Sequence, residues 1–149
     1  MSLRTDIAFN EALKSNQALI ERLPAGGIFS TAIPHPPENI DNEPLPYIIL
    51  GFMGTQNDET YKDNDYEGQT DNDQITITIA ADSRASLGEI AEEVRQTIRD
   101  FFNEHEYDDS IEEYQFIPRS HSFSAGPVNY DAMKPCYWQE LNYNCVTNI

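Results

Sequence analysis

Apolar residues along the 149-residue chain fall in separate runs, and their spacing changes from run to run. Leu3, Ile7, Ala8, Ala12 and Leu13 recur at the three- and four-residue steps that line one face of a helix. After the cap-forming pair Ser15-Asn16 the pattern resumes at Leu19, Ile20 and Leu23, which predicts two short helices or one helix with a break. Pro24 and Gly26-Gly27 end the helical segment. Pro34, Pro36, Pro37, Pro44 and Pro46 then exclude a central strand, leaving an ordered loop with one short edge strand around Ile28 to Ile33.

The next run, PYIILGFMG, is apolar on both alternations, Tyr47, Ile49 and Met53 facing one way and Ile48, Leu50 and Phe52 the other. Such a strand has both faces covered, here by a helix and by a neighbouring subunit. QITITIAAD differs, because Ile75, Ile77 and Ile79 alternate with Thr76, Thr78 and Ala80 to give one buried and one polar face. The acidic stretch between the two strands is then the long connection of an antiparallel hairpin. In SLGEIAEEVRQTIRDFFN, Leu87, Ile90, Ala91, Val94, Ile98, Phe101 and Phe102 form one helical stripe, and Ser86 with Glu89 reads as a capping box. The outward side carries Glu92, Glu93, Arg95, Gln96 and Arg99, with a Glu92–Arg95 pair three residues apart. A second acidic link, EHEYDDSIEE, leads to YQFIPRSHSF and, past Gly126-Pro127, to CYWQELNYNCV. In that last strand Tyr137, Leu141, Tyr143 and Cys145 alternate with Trp138, Glu140, Asn142 and Asn144. The order helix, hairpin, helix, hairpin predicts an α+β fold: a mostly antiparallel sheet packed against an amphipathic helix, with an N-terminal helical segment. Residues 1–149 read as a single domain, a length that buries enough surface to need no staples.

Charge narrows the functions available. With 26 acidic and 9 basic side chains the formal net charge is −17, which repels nucleic-acid phosphates and anionic membranes alike. No apolar run approaches the roughly 18 residues of a membrane span. Cys136 and Cys145 lie nine residues apart in one strand, on opposite faces and roughly 30 Å from each other, so they do not bridge within it. Two thiols without C-x-x-C spacing or a signal-peptide pattern fit a reducing cytoplasm.

The run DNDYEGQTDNDQ, from Asp63 to Gln74, invites comparison with a calcium loop. Asp63, Asp65, Glu67, Gly68, Gln69 and Asp71 take the places of the first ligands, the sharp turn and the later ligands. The twelfth place, a bidentate glutamate in that motif, is the amide Gln74; the eighth, normally apolar, is Thr70; and the flanks are strands where the motif needs helices. A solvated hairpin tip is the default reading. His35, His105 and His121 have no His or Cys partners at metal-ligand spacing. Ser120, His121 and Ser122 are strand neighbours pointing to opposite faces, a poor geometry for a nucleophile and its base. No phosphate-cradling or nucleophile-elbow motif occurs. The chain reads as a non-enzyme without cofactors. Tyr137, Trp138 and Tyr143 are either an aromatic binding surface or packing for the last strand.

Taken together, SLRTDIAFNEALKSNQALIERLPAGGIF, the proline-bearing loop closing on LPYIIL, the hairpin, the helix SLGEIAEEVRQTIRDFF and the final pair of strands resemble the tail-completion or tail-terminator proteins of long-tailed bacteriophages and prophages. The resemblance spans nearly the whole chain. It implies a subunit without catalytic residues or cofactors, forming a homo-oligomeric ring, commonly a hexamer, that caps the tail tube and meets the head connector. It also implies location in the virion tail after assembly in the bacterial cytoplasm, with DNA passing through unbound. On that reading some of Asp58, Glu59, Asp63, Asp65 and Glu67 face the lumen, and the sheet and its loops make the subunit contacts. Two other classes fit the charge or the loop: an acidic inhibitor or immunity-type protein masking a basic partner, and a calcium-binding module.

Overall fold

The computed structural model describes residues 5–24, 27–30, 45–57, 70–104, 120–133 and 135–148. Two helices, α1 (Thr5–Ser15) and α2 (Gln17–Arg22), are followed by strands β1 (Ile28–Ser30), β2 (Tyr47–Asn57) and β3 (Thr70–Ala81). Helix α3 (Arg84–Glu104) precedes β4 (Ser120–Ala125), β5 (Asn129–Asp131) and β6 (Cys136–Asn148). The strands form one sheet in the order β1-β2-β3-β6-β4, with β5 also on β6. Every pairing is antiparallel except β1 with β2. The fold is α+β.

The helices cover one face of this sheet. Ile75, Ile77 and Ile79 on β3, Ile48 and Leu50 on β2, and Leu141, Tyr143 and Cys145 on β6 are buried there against Phe9 and Leu13 of α1 and the stripe Leu87, Ile90, Val94, Ile98 and Phe102 of α3. Phe9 lies at its centre, edge-on to Phe102 at 5.0 Å and to Tyr143 at 5.2 Å between ring centroids.

The expected break between the first helices is Asn16. Its side-chain oxygen accepts from the backbone N–H groups of Ala18 and Leu19, capping α2. Its amide nitrogen donates to Glu93 Oε1 at 2.8 Å and Thr97 Oγ1 at 2.7 Å, so the cap also fastens the α1–α2 joint to α3. The short edge strand is also present, as Ile28–Ser30; residues 31–33 of the expected range lie outside the described residues. It is positioned by Gly27, whose carbonyl accepts from Ile48 N–H at 2.8 Å. A Cβ at Gly27 would stand 3.0 Å from the Pro24 carbonyl oxygen and 3.1 Å from Leu23 Cβ.

Four expectations are corrected. Helix α3 begins two residues before the run that suggested it, and its cap is Ser83: the Ser83 hydroxyl accepts from Ser86 N–H at 3.1 Å, and its carbonyl accepts from Leu87 N–H. Ser86 is thus the third residue of the helix, and Glu89 pairs with Arg22 at 3.2 Å on the surface. Arg95 does not pair with Glu92; its guanidinium carbon lies 4.5 Å from the ring centre of Phe123. The second hairpin strand starts at Thr70, four residues before the apolar alternation, because Thr70–Asp73 pair with Asn148–Cys145 of β6 and Asp71–Asp73 also pair with Asn57–Thr55 at the end of β2. Finally, β5 is a short strand that the spacing of apolar residues did not disclose.

Replacing Ser83 by Ala is expected to lower unfolding free energy by about 1 kcal/mol through loss of the cap, whereas Ser86→Ala changes it by only a few tenths. Urea denaturation of the two variants checks this.

Candidate assembly surfaces

The sheet has two ends of different character. At one end β2 leaves the sheet at Asn57 and β3 enters at Thr70, while α3 finishes at Glu104 and β4 starts at Ser120. The register places Asn57 level with Asp71, and Ser120 level with Val146 and Asn72. Both acidic links are therefore anchored at this end. Asp58, Glu59, Asp63, Asp65 and Glu67 belong to the first link and lie outside the described residues, as do His35 and His105. Asp71, the remaining residue of the calcium-loop pattern, is a strand residue of β3 opposite Asn57 and Thr147.

At this end Thr55, Asp73, Cys145 and His121 occupy one level across four strands. Asp73 and Cys145 are fully buried. Burial, with Asp73 beside it, pushes the Cys145 thiol up to about 12. His121 is half-buried against Phe102 at 5.4 Å and Tyr143 at 5.9 Å, and burial holds its pKa below the ordinary histidine value. Burial likewise raises the Tyr143 phenol, whose buried hydroxyl has no hydrogen-bond partner among the described residues. A thiol held neutral and enclosed is a packing group and a poor nucleophile. Among the described residues no group of three His, Cys, Asp or Glu side chains could hold a metal ion. Nor is any helix among them long and apolar enough to cross a membrane.

At the opposite end is the hairpin of β5 and β6. Gly126 N–H still donates to the Glu140 carbonyl at 2.8 Å, but from Gly126 to Val128 the chain gains a residue on β6, and β5 resumes one step out of register. Gln139 Nε2 donates to the Gly126 carbonyl at 2.8 Å and holds the bulge. The turn is set by Asp131, whose carboxylate accepts from Met133 N–H at 2.9 Å. Among the described residues the large apolar side chains left exposed are Val128 (37%), Tyr130 (56%) and Met133 (95%), all on this hairpin. The segment from Pro127 to Trp138 carries one acidic residue, Asp131, and one basic, Lys134, in a chain of net charge −17.

Of the three aromatic candidates Tyr143 is buried in the core, while Tyr137 and Trp138 lie on this hairpin but on different faces. Tyr137 packs on the helix-side core, its ring 5.0 Å from that of Tyr130. Trp138 lies on the other face, where with Phe29, Leu45 and Ile49 it packs against Tyr47 and Ala80 in a second apolar cluster. This cluster covers the second face of β2 at its start with the chain's own side chains, where the alternation alone suggests a neighbouring subunit. Beyond it the face turns polar, with Thr76 Oγ1 donating to Asn142 Oδ1 at 3.0 Å. The hairpin and the second cluster form an aromatic surface at the end opposite the two acidic links. Tyr130 and Met133 carried no signal beyond residue type, since their exposure depends on the turn at Asp131.

Comparison with known proteins adds a likeness of fold. No family model matches the chain, and no curated protein matches it. Among solved structures, a chain of the virion of a native gene transfer agent (GTA) particle superposes with a TM-score of 0.59 at 14% sequence identity. The superposition covers 97% of this chain and 94% of that one. The two share a fold.

Because burial depresses the His121 pKa, the folded chain binds fewer protons than the unfolded chain below the ordinary value of 6.5. His121 therefore contributes stability that is present above that pH and lost as pH falls through the window beneath it. Melting temperature measured from pH 7 to pH 5 is expected to fall more steeply for the parent chain than for His121→Gln. Both cysteines are buried and outside any disulfide, so a thiol-labelling reagent at pH 8 is expected to react with neither until urea unfolds the chain.

Proposed function

We propose that this chain is a structural protein of a phage-like virion, acting as one subunit of a tail-terminator ring that caps the tail tube and meets the head connector. The observation that carries the proposal is the fold shared, over nearly the full length of both chains, with a component of a gene transfer agent virion. The distribution of chemistry supports it. A ring through which DNA slides gains from a lumen that repels phosphate, and both acidic links leave the sheet at one end. Subunit and tail contacts need surface with little charge to desolvate, and the hairpin from Val128 to Trp138 offers it with aromatic side chains. On this reading the protein works by assembly and has no catalytic role. The acidic-inhibitor reading rests on net charge alone, and the calcium-module reading on the loop from Asp63.

Copies of so acidic a chain repel one another, and at physiological ionic strength the Debye length of about 8 Å screens most of that repulsion. Light-scattering mass and negative-stain images at moderate salt, with and without purified tail tube, are expected to show closed rings that loosen as salt is lowered. Monomer alone at high concentration in the presence of tail tube would refute the assignment.

A further inference from the structure

Among the described residues the two outer edges of the sheet match. On one side β1 covers β2 only from Ile48 to Leu50, and no described strand pairs with the outer edge of β2 from Gly51 to Asn57. On the other side β4 is the last strand, and no described strand lies beyond it. Following the register through β3 and β6, Ser120 stands level with Gln56, His121 with Thr55, Ser122 with Gly54, Phe123 with Phe52 and Ser124 with Gly51. Met53 is the extra residue of the bulge in β2. The uncovered edge of β2 and the strand β4 thus occupy the same levels.

They also end together. Ala125 is level with Leu50, where β1 takes over the edge, and the break in the β4 side at Gly126 is level with Ile49, opposite Phe29 of β1. Pro127 in that break has no N–H to offer a neighbour. The two strands run in opposite directions, since β2 is antiparallel to β3, β3 to β6 and β6 to β4. Exposed edges are ordinarily blunted by charged side chains, proline or a bulge. Apart from the bulge at Met53, neither stretch carries such a device: Gly51 to Asn57 and Ser120 to Ala125 are uncharged and proline-free in a chain with 26 acidic and 9 basic residues.

We propose that β4 of one copy pairs antiparallel with the Gly51–Gln56 edge of β2 in the next copy, continuing the sheet from subunit to subunit. The occupant of each edge is a second copy of this chain. Because the two edges are different surfaces, the contact is head-to-tail, the kind that closes into a ring when the rotation per subunit allows. The proposal rests on the ring reading and names the contact that builds it. The Gly126–Val128 break limits the pairing to the acidic half of the sheet and leaves the neutral hairpin for other proteins.

The test is a double variant, Gln56→Cys with Ser120→Cys, of the full chain under mild oxidation. Within one copy the two positions are three strand spacings apart, roughly 14 Å, beyond the roughly 7 Å that a disulfide spans. A bond therefore forms only between copies. A covalent ladder up to a closed oligomer on a non-reducing gel, absent from either single variant, is the expected result. Rings seen by negative stain without cross-links would overturn the edge pairing while leaving the ring intact. Dimers from Ser120→Cys alone would overturn it in favour of a two-fold β4–β4 contact. A ladder without closed rings would uphold the pairing and sink the ring. The parent chain gives a check without substitutions: on assembly, amide exchange is expected to slow in residues 51–56 and 120–124, and unchanged exchange there would refute the contact.

Discussion

Burial of Ile75, Ile77 and Ile79 on the central strand β3 is the constraint on which the rest of the structure depends. These side chains meet α1 and α3 while Thr76 and Thr78 face the other way. A slip of one residue would exchange the two sets. Each isoleucine moved from core to water costs about 1.5–3 kcal/mol, and three together approach the whole net stability of a domain. The register of β3 is therefore fixed. Because β3 pairs with β2 on one side and β6 on the other, it also fixes which residues of the two outer strands share a level.

The features legible in the sequence are those that repeat. The stripe of α3 and the alternation of β3 and β6 are written several times over, so single exceptions do not hide them. Features that depend on one atom finding another are hidden. Ser83 and Ser86 stand three residues apart before the same apolar stripe, each with the residue type for a cap, and only the bond from Ser86 N–H to the Ser83 hydroxyl distinguishes them. Asp71, Asn72 and Asp73 are poor strand formers held in β3 by ladders on both sides, and nothing local marks Asp73 as fully buried. Three residues between a Gly-Pro pair and a turn are too few to show a period, so β5 leaves no mark in the spacing.

The candidate surfaces divide in the same way. That Tyr137 and Trp138 belong to opposite faces follows from alternation alone. The meeting of the two acidic links at one end does not, because they are far apart in the chain and share an end only once β2 is paired with β3 and α3 has run back toward β4. Arg95 on Phe123 is likewise a product of packing, since its sequence neighbours offered it a carboxylate and the fold supplied an aromatic ring.

Pairing of Asn57 with Asp71 brings the two strands together at the place where the first acidic link begins and ends. A connection whose ends are already held side by side can change length cheaply, each doubling costing only about 0.6 kcal/mol in closure entropy. Its length can accordingly vary with little penalty to the scaffold, because the isoleucine core and the strand ends that hold it do not depend on how much chain lies between them.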